Sequence, residues 1–154
     1  MICVSSPVAP NFYTELEPVG VGGTPGGSND DYTVAEDVGT VSSGNELVIS
    51  GSLSSNSGGG GSFDFTKDQD FYKVTMGSTG TVNFTVECFS TGSDSNAIDI
   101  VLFDSMGNYL YDPGANQPAA GITGGVTAGD VYYLLIIGYD GIVPMPYKLT
   151  ITPP

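Results

Sequence analysis

The side chains of this chain best equipped for chemistry are carboxylates. Asp68 and Asp70 flank Gln69, and residues two apart on an extended backbone face the same side. Two like charges placed that way repel each other unless a cation lies between them. An oxygen-rich cluster of this kind suits calcium, which takes six to eight oxygen ligands at about 2.3–2.6 Å. The alternative is a pair of solvated turn aspartates. Absences narrow the chemistry further. The chain contains no His, so it can build no His general base, no Ser-His-Asp triad and no His-ligated zinc. Glu17 with a second carboxylate would be the remaining option, a glycosidase pair, but nothing in the sequence marks a substrate cleft beside it. The chain therefore reads as a non-enzyme. Tyr32, Tyr72, Tyr109, Tyr111, Tyr132, Tyr133, Tyr139 and Tyr147 could include a ligand platform; the plainer reading is half-buried core with hydroxyls at the rim.

Charge points the same way. Three Lys, no Arg and 17 acidic residues give a net charge of −14 in 154 residues. Phosphate backbones and anionic membrane surfaces both need basic side chains, so neither nucleic acid nor a membrane surface is expected as a partner. No apolar run is long enough to span a bilayer, and the first residues do not form a secretion leader. The two cysteines, Cys3 and Cys88, match no metal or redox spacing. They are either a disulfide tying the N-terminus to the body, as an oxidising compartment would favour, or a buried thiol and an unrelated N-terminal one. Asn83-Phe84-Thr85 is an N-glycosylation sequon, and its place in a strand disfavours modification unless that face is open.

These groups sit on a chain of short apolar-alternating segments separated by Gly, Ser, Asn and Asp. That pattern predicts an all-β, antiparallel, jelly-roll-like sandwich of about eight strands. Strands are expected at residues 47–53, 71–76, 81–89, 98–103, 109–111, 131–139 and 147–152, with a short one near 11–16. Residues 32–39 fit either one helical turn or a strand. Segments 71–76 and 81–89 are expected to pair as a hairpin across residues 77–80, and 98–103 with 109–111 across residues 104–108. Residues 113–125, rich in small side chains, read as a long loop. The near-continuous apolar run at 131–139 predicts a central strand covered on both faces. Residues 1–16 form an extended N-terminal arm, and 17–154 a single domain.

The order of these motifs resembles the bacterial pre-peptidase C-terminal domain, a calcium-associated β-sandwich of secreted proteases. The resemblance rests on Glu15-Leu16-Glu17-Pro18 with Asn29-Asp30, on Ile49-Ser50-Gly51-Ser52-Leu53, and on Asp68-Gln69-Asp70-Phe71-Tyr72. It continues through Asp99 and the Asp104-Ser105-Met106-Gly107 turn, Ala128-Gly129 before Tyr132-Tyr133, and Tyr147-Lys148-Leu149. It covers roughly residues 15–152, with an insertion at 19–28 splitting the acidic opening. The resemblance implies a calcium site from Glu15, Glu17, Asn29, Asp30, Asp68 and Asp70, completed when the arm folds back beside the Asp68 strand. Two functions follow as expectations, both extracellular or at the cell surface. One is a calcium-stabilised structural subunit, a homo-oligomer or homopolymer in which each arm adds a strand to its neighbour, giving a fibre. The other is a binding or adhesion module for fibrous protein or polysaccharide, as some members of the resembling family are.

Overall fold

A computed structural model describes residues 10–15, 32–55, 67–89, 97–114 and 119–154. Ten strands and one 3-10 turn (Tyr32–Val34) build two five-stranded sheets. The first sheet runs β1 (Asn11–Thr14), β3 (Leu47–Leu53), β10 (Met145–Thr152), β5 (Gly80–Cys88), β8 (Ala119–Val126). The second runs β2 (Glu36–Val41), β4 (Gln69–Met76), β9 (Val131–Asp140), β6 (Ala97–Phe103), β7 (Tyr109–Tyr111). The chain is thus the expected β-sandwich, with ten strands among the described residues rather than about eight. Its pairing is antiparallel except at two edges, where β1 runs parallel to β3 and β2 parallel to β4.

Each sheet is centred on a strongly apolar strand. On β9, Leu134, Leu135, Ile136 and Ile137 are all buried. Leu134 and Ile136 face the inter-sheet core, while Leu135 and Ile137 join Phe71 and Val101 in a second cluster on the outer face. The expected doubly covered central strand is present, and its continuous apolar run has that cause. On β10 only alternate residues, Met145, Tyr147, Leu149 and Ile151, are buried, as suits a strand with one wet face. Each fully buried Leu, Ile or Phe contributes roughly 1.5–3 kcal/mol, so these two strands anchor the body.

Two expectations fail. Segments β4 and β5 do not form a hairpin: β4 joins the second sheet and β5 the first. Residues 77–80 carry the chain across the sandwich. Gly77 N–H donates to Val41 O (2.7 Å), and Gly80 (φ 150°) lies against Pro154. Strand β5 alternates, with Val82, Phe84, Val86 and Cys88 buried, and it pairs with the equally alternating β10 and β8. Strand β4 is buried on both faces, Phe71 outward and Tyr72 inward, and pairs with doubly buried β9. Burial on one face or two therefore sorts the strands, not their closeness in sequence. The loop expected at 113–125 is likewise corrected, since residues 119–126 are strand β8. Its buried residues, Ala120, Ile122 and Val126, are separated by glycines, which hide the alternation. The hairpin of β6 and β7 is as expected. Residues 32–41 hold both of the alternatives, a 3-10 turn followed by strand β2.

Candidate functional sites

The parallel seating of β1 on β3 carries Glu15 to the middle of the molecule. Glu15 N–H donates to Ser50 O (3.0 Å), and its Oε2 accepts from Ser52 N–H (2.9 Å). That position lies over Gly51, where a Cβ would stand 2.7 Å from Glu15 Oε2 and overlap the Tyr147 hydroxyl. The glycine is therefore the floor of a cluster. Asp70, on β4, is 1 % exposed and lies against Glu15. Burial above all, then the hydrogen bond and charge of Glu15, hold the Asp70 carboxyl well above the usual carboxylate range, and the charge of Asp68 adds to this. Tyr147 O–H donates to Asp70 Oδ2 (2.6 Å) and lies 2.5 Å from the Tyr72 hydroxyl. Because Tyr147 has given its hydrogen to Asp70, Tyr72 donates to Tyr147. Burial pushes both phenols upward as well.

Asp68 is also buried. Its Oδ2 accepts from Ser54 N–H, and its own N–H donates to Ser55 Oγ (2.8 Å). The reading of Asp68 and Asp70 as solvated turn residues is thereby excluded. Of the six sequence-derived ligands, the structure sets Glu15 against Asp70, with Asp68 near enough for its charge to act on Asp70. Glu17, Asn29 and Asp30 lie outside the described residues. Among the described residues, no group of three or more acidic or Cys side chains is arranged to enclose a metal ion. A second tie fastens the arm: Tyr13 O–H donates to Glu36 Oε1 (2.5 Å), linking β1 of one sheet to β2 of the other.

Gly51→Ala tests the cluster's floor. Overpacking of this kind costs about 1–3 kcal/mol. We expect a lower urea midpoint for Gly51→Ala and little change for Gly124→Ala, whose added Cβ meets nothing within 4 Å. Equal midpoints for the two variants would show that the cluster has room to spare.

The outer face of the second sheet carries a different feature. Tyr133 (β9), Phe103 (β6) and Tyr109 (β7) are cross-strand neighbours. Phe103 and Tyr109 meet edge to face at 6.4 Å between ring centroids, and Phe71 lies 5.9 Å from Phe103. Tyr32 extends the row, 5.7 Å from Tyr133 and packed over Gly107. The row ends at an open sheet edge. Tyr109 is 62 % exposed, Leu110 46 % and Tyr111 51 %. Asp104 holds the preceding turn by accepting from Met106 N–H, Asn108 N–H and Asn108 Nδ2. These bonds, that from the Asn108 side chain foremost, pull its carboxyl below the usual range. An open cleft of ≈ 420 Å³ adjoins this edge, lined by Asp104, Leu110, Asp130 and Tyr132 among others.

The tyrosines thus divide. Tyr72 and Tyr147 are core residues serving Asp70, while Tyr109 and Tyr111 are surface residues. Alternation in the sequence hinted at the first pair; nothing local identified β7 as an open edge. Asn83 is exposed on β5, its Oδ1 accepting from Thr123 Oγ1 (2.7 Å), so the face carrying the sequon is open. Cys88 is buried in the core, and Cys3 lies outside the described residues. Among the described residues no helix is long and apolar enough to cross a membrane.

No protein-family model and no curated protein matches the sequence. Solved structures do. The pre-peptidase C-terminal domain of a collagenase from Bacillus anthracis superposes with a TM-score of 0.50 at 21% identity, over 76% of this chain and 95% of that one. The motif order and the fold therefore agree: this chain has the fold of a pre-peptidase C-terminal domain. A family 35 carbohydrate-binding module from Clostridium thermocellum (TM-score 0.40, 13% identity, 71% and 93% of the two chains) is also similar. So is a periplasmic inhibitor of g-type lysozyme from Aeromonas hydrophila (0.39, 16%, 75% and 96%).

Proposed function

We propose that the protein is a non-catalytic extracellular binding module that holds an extended polymer, a polysaccharide or a fibrous protein, on the aromatic outer face ending at β7. The observation that carries this reading is the row Tyr32, Tyr133, Phe103, Tyr109, which leads onto an open edge strand with all three residues exposed. Rigid aromatic rings present large contact area at little conformational cost, and such rings dominate recognition surfaces. An edge strand also offers unpaired backbone groups to an extended partner. The alternative of a fibre built by arm exchange is less favoured, because the arm's Asn11–Thr14 already pairs with its own β3.

Calcium belongs to the same proposal. Glu15 and Asp68 both act on Asp70 while no basic residue among those described does, and carboxylate oxygens are the donors that calcium prefers. With Glu17, Asn29 and Asp30 they would hold the ion, which would supply the missing countercharge and fasten the arm.

The test is co-sedimentation of the intact protein with microcrystalline cellulose, chitin and collagen fibrils, each with calcium and with a chelator. We expect retention on at least one, and a higher melting temperature in calcium. Absence from all three pellets would refute the binding reading. A melting curve indifferent to chelation would remove calcium alone.

A further inference from the structure

A second carboxyl pair lies away from the arm. Asp99, on β6, is 0 % exposed. Its Oδ1 accepts from the N–H of Ile100 (2.7 Å), but its Oδ2 is buried without a hydrogen-bond donor. What faces Asp99 is another acceptor, the carboxyl of Asp112, one residue past the end of β7. Asp112 in turn caps its own turn, Oδ1 accepting from Gly114 N–H (2.5 Å). Across the sheet, β9 sets Ile137 opposite Asp99, and β4 sets Gln69 beyond that; both are uncharged. Tyr139 and exposed Asp140, the next titratable groups on β9, lie past the register break at Ala97/Ile98. Among the described residues, no basic side chain acts on Asp99. The chain has three Lys and no Arg or His, and Lys73 and Lys148 are paired with Asp37 and Glu87.

Asp99 is buried and Asp112 half-buried, and two carboxyls facing each other there cannot both be anions without a countercharge. Two side chains offer too few oxygens for calcium, which takes six to eight. A proton suffices. We propose that Asp99 and Asp112 form an acid-held latch, one proton shared between two carboxyl groups, that fastens the end of the aromatic edge strand to the sheet and releases it in alkaline solution. The proton resides on one carboxyl and is donated to the other. On alkalinisation it leaves to solvent, and the two remaining anions repel. Since Asp112 directly follows Tyr111, release loosens the tyrosine-bearing edge; that consequence for ligand binding rests on the polymer-binding reading, whereas the latch does not.

Burial, then the hydrogen bond from Asp112, raise the Asp99 carboxyl to about 7, from 3.8. The folded chain therefore keeps a proton that the unfolded chain releases near the ordinary value. Stability from the pair is complete below the ordinary value, declines as pH rises toward about 7, and is then level. Asp70 adds a slope of the same sign, so the informative comparison is with Asp99→Asn, which replaces the shared proton by an amide N–H donor.

The experiment is thermal unfolding of the intact chain from pH 4.5 to 8.5 in chelator, for the wild type, Asp99→Asn and Asp112→Asn. It is joined by carboxyl-carbon NMR titration of the wild type, which needs no variant to fold. We expect an Asp99 midpoint near neutrality, a shallower loss of melting temperature in either variant, and faster amide exchange at residues 109–114 above neutral pH after correction for intrinsic rates. An Asp99 midpoint in the ordinary Asp range, or variants with the wild-type slope, would overturn the latch. So would calcium raising the alkaline melting temperature of the wild type but not of Asp99→Asn, since the pair would then be held by a cation. Unchanged exchange at 109–114 would overturn the coupling to the edge strand. None of these readouts uses a polymer, so they stand or fall apart from the binding assay.

Discussion

Tyr147→Phe is expected to destabilise the protein by about 1–3 kcal/mol, the usual consequence of leaving a buried polar partner without its bond. At about 2–4 °C per kcal/mol for a domain of this size, the melting temperature falls by several degrees. The substitution removes one oxygen and barely changes volume, so the loss cannot be assigned to a cavity. Two groups suffer at once: Asp70 Oδ2 loses the donor at 2.6 Å, and the Tyr72 hydroxyl loses its acceptor at 2.5 Å. Adding Tyr72→Phe to Tyr147→Phe should cost less than the sum of the single changes, because the second removes a hydroxyl already stranded. Tyr109→Phe, exposed and outside the cluster, serves as control and should stay within about 0.5 kcal/mol. A Tyr147→Phe protein as stable as the wild type would mean that the hydroxyl chain is a bystander to folding.

The largest functional effect is expected at the edge strand. Tyr109→Ala and Tyr111→Ala, made singly, should each weaken retention on the bound polymer about thirtyfold, as for an anchor contributing about 2 kcal/mol. Both side chains are more than half exposed, so folding should be almost untouched and the loss readable as binding. Thr81→Ala, exposed on β5 of the opposite sheet, should bind as the wild type does. Equal losses from both sheets would place recognition elsewhere, and no loss at either tyrosine would refute the aromatic face as the binding surface.

The legibility of the site was uneven. Glu15, Asp68 and Asp70 could be grouped from the sequence because acidic residues at short spacing, in an order resembling a known family, narrow the choices sharply. Their partners could not. Tyr147 lies 77 positions from Asp70, and Gly51 matters only because a hydroxyl and a carboxylate pass over it. The Asp99–Asp112 pair was invisible for the same reason: β7 returns beside β6, and only then does the half-buried Asp112 carboxyl come to face buried Asp99.

What the residues determined by themselves was the class of structure and the exclusion of His-based chemistry. Alternating apolar segments can bury one face only as strands, and the run at β9 can be buried only in a sheet covered on both sides. Missing histidines and a shortage of lysines are facts of composition that folding cannot repair. What tertiary structure alone decided was which strand joined which sheet, which edges stayed open, and which carboxylates lost their water. Those outcomes depend on how burial is shared among segments distant in sequence. Strand β5 left β4 for β10 and β8 because its single apolar face matched theirs, and no local pattern encodes that match.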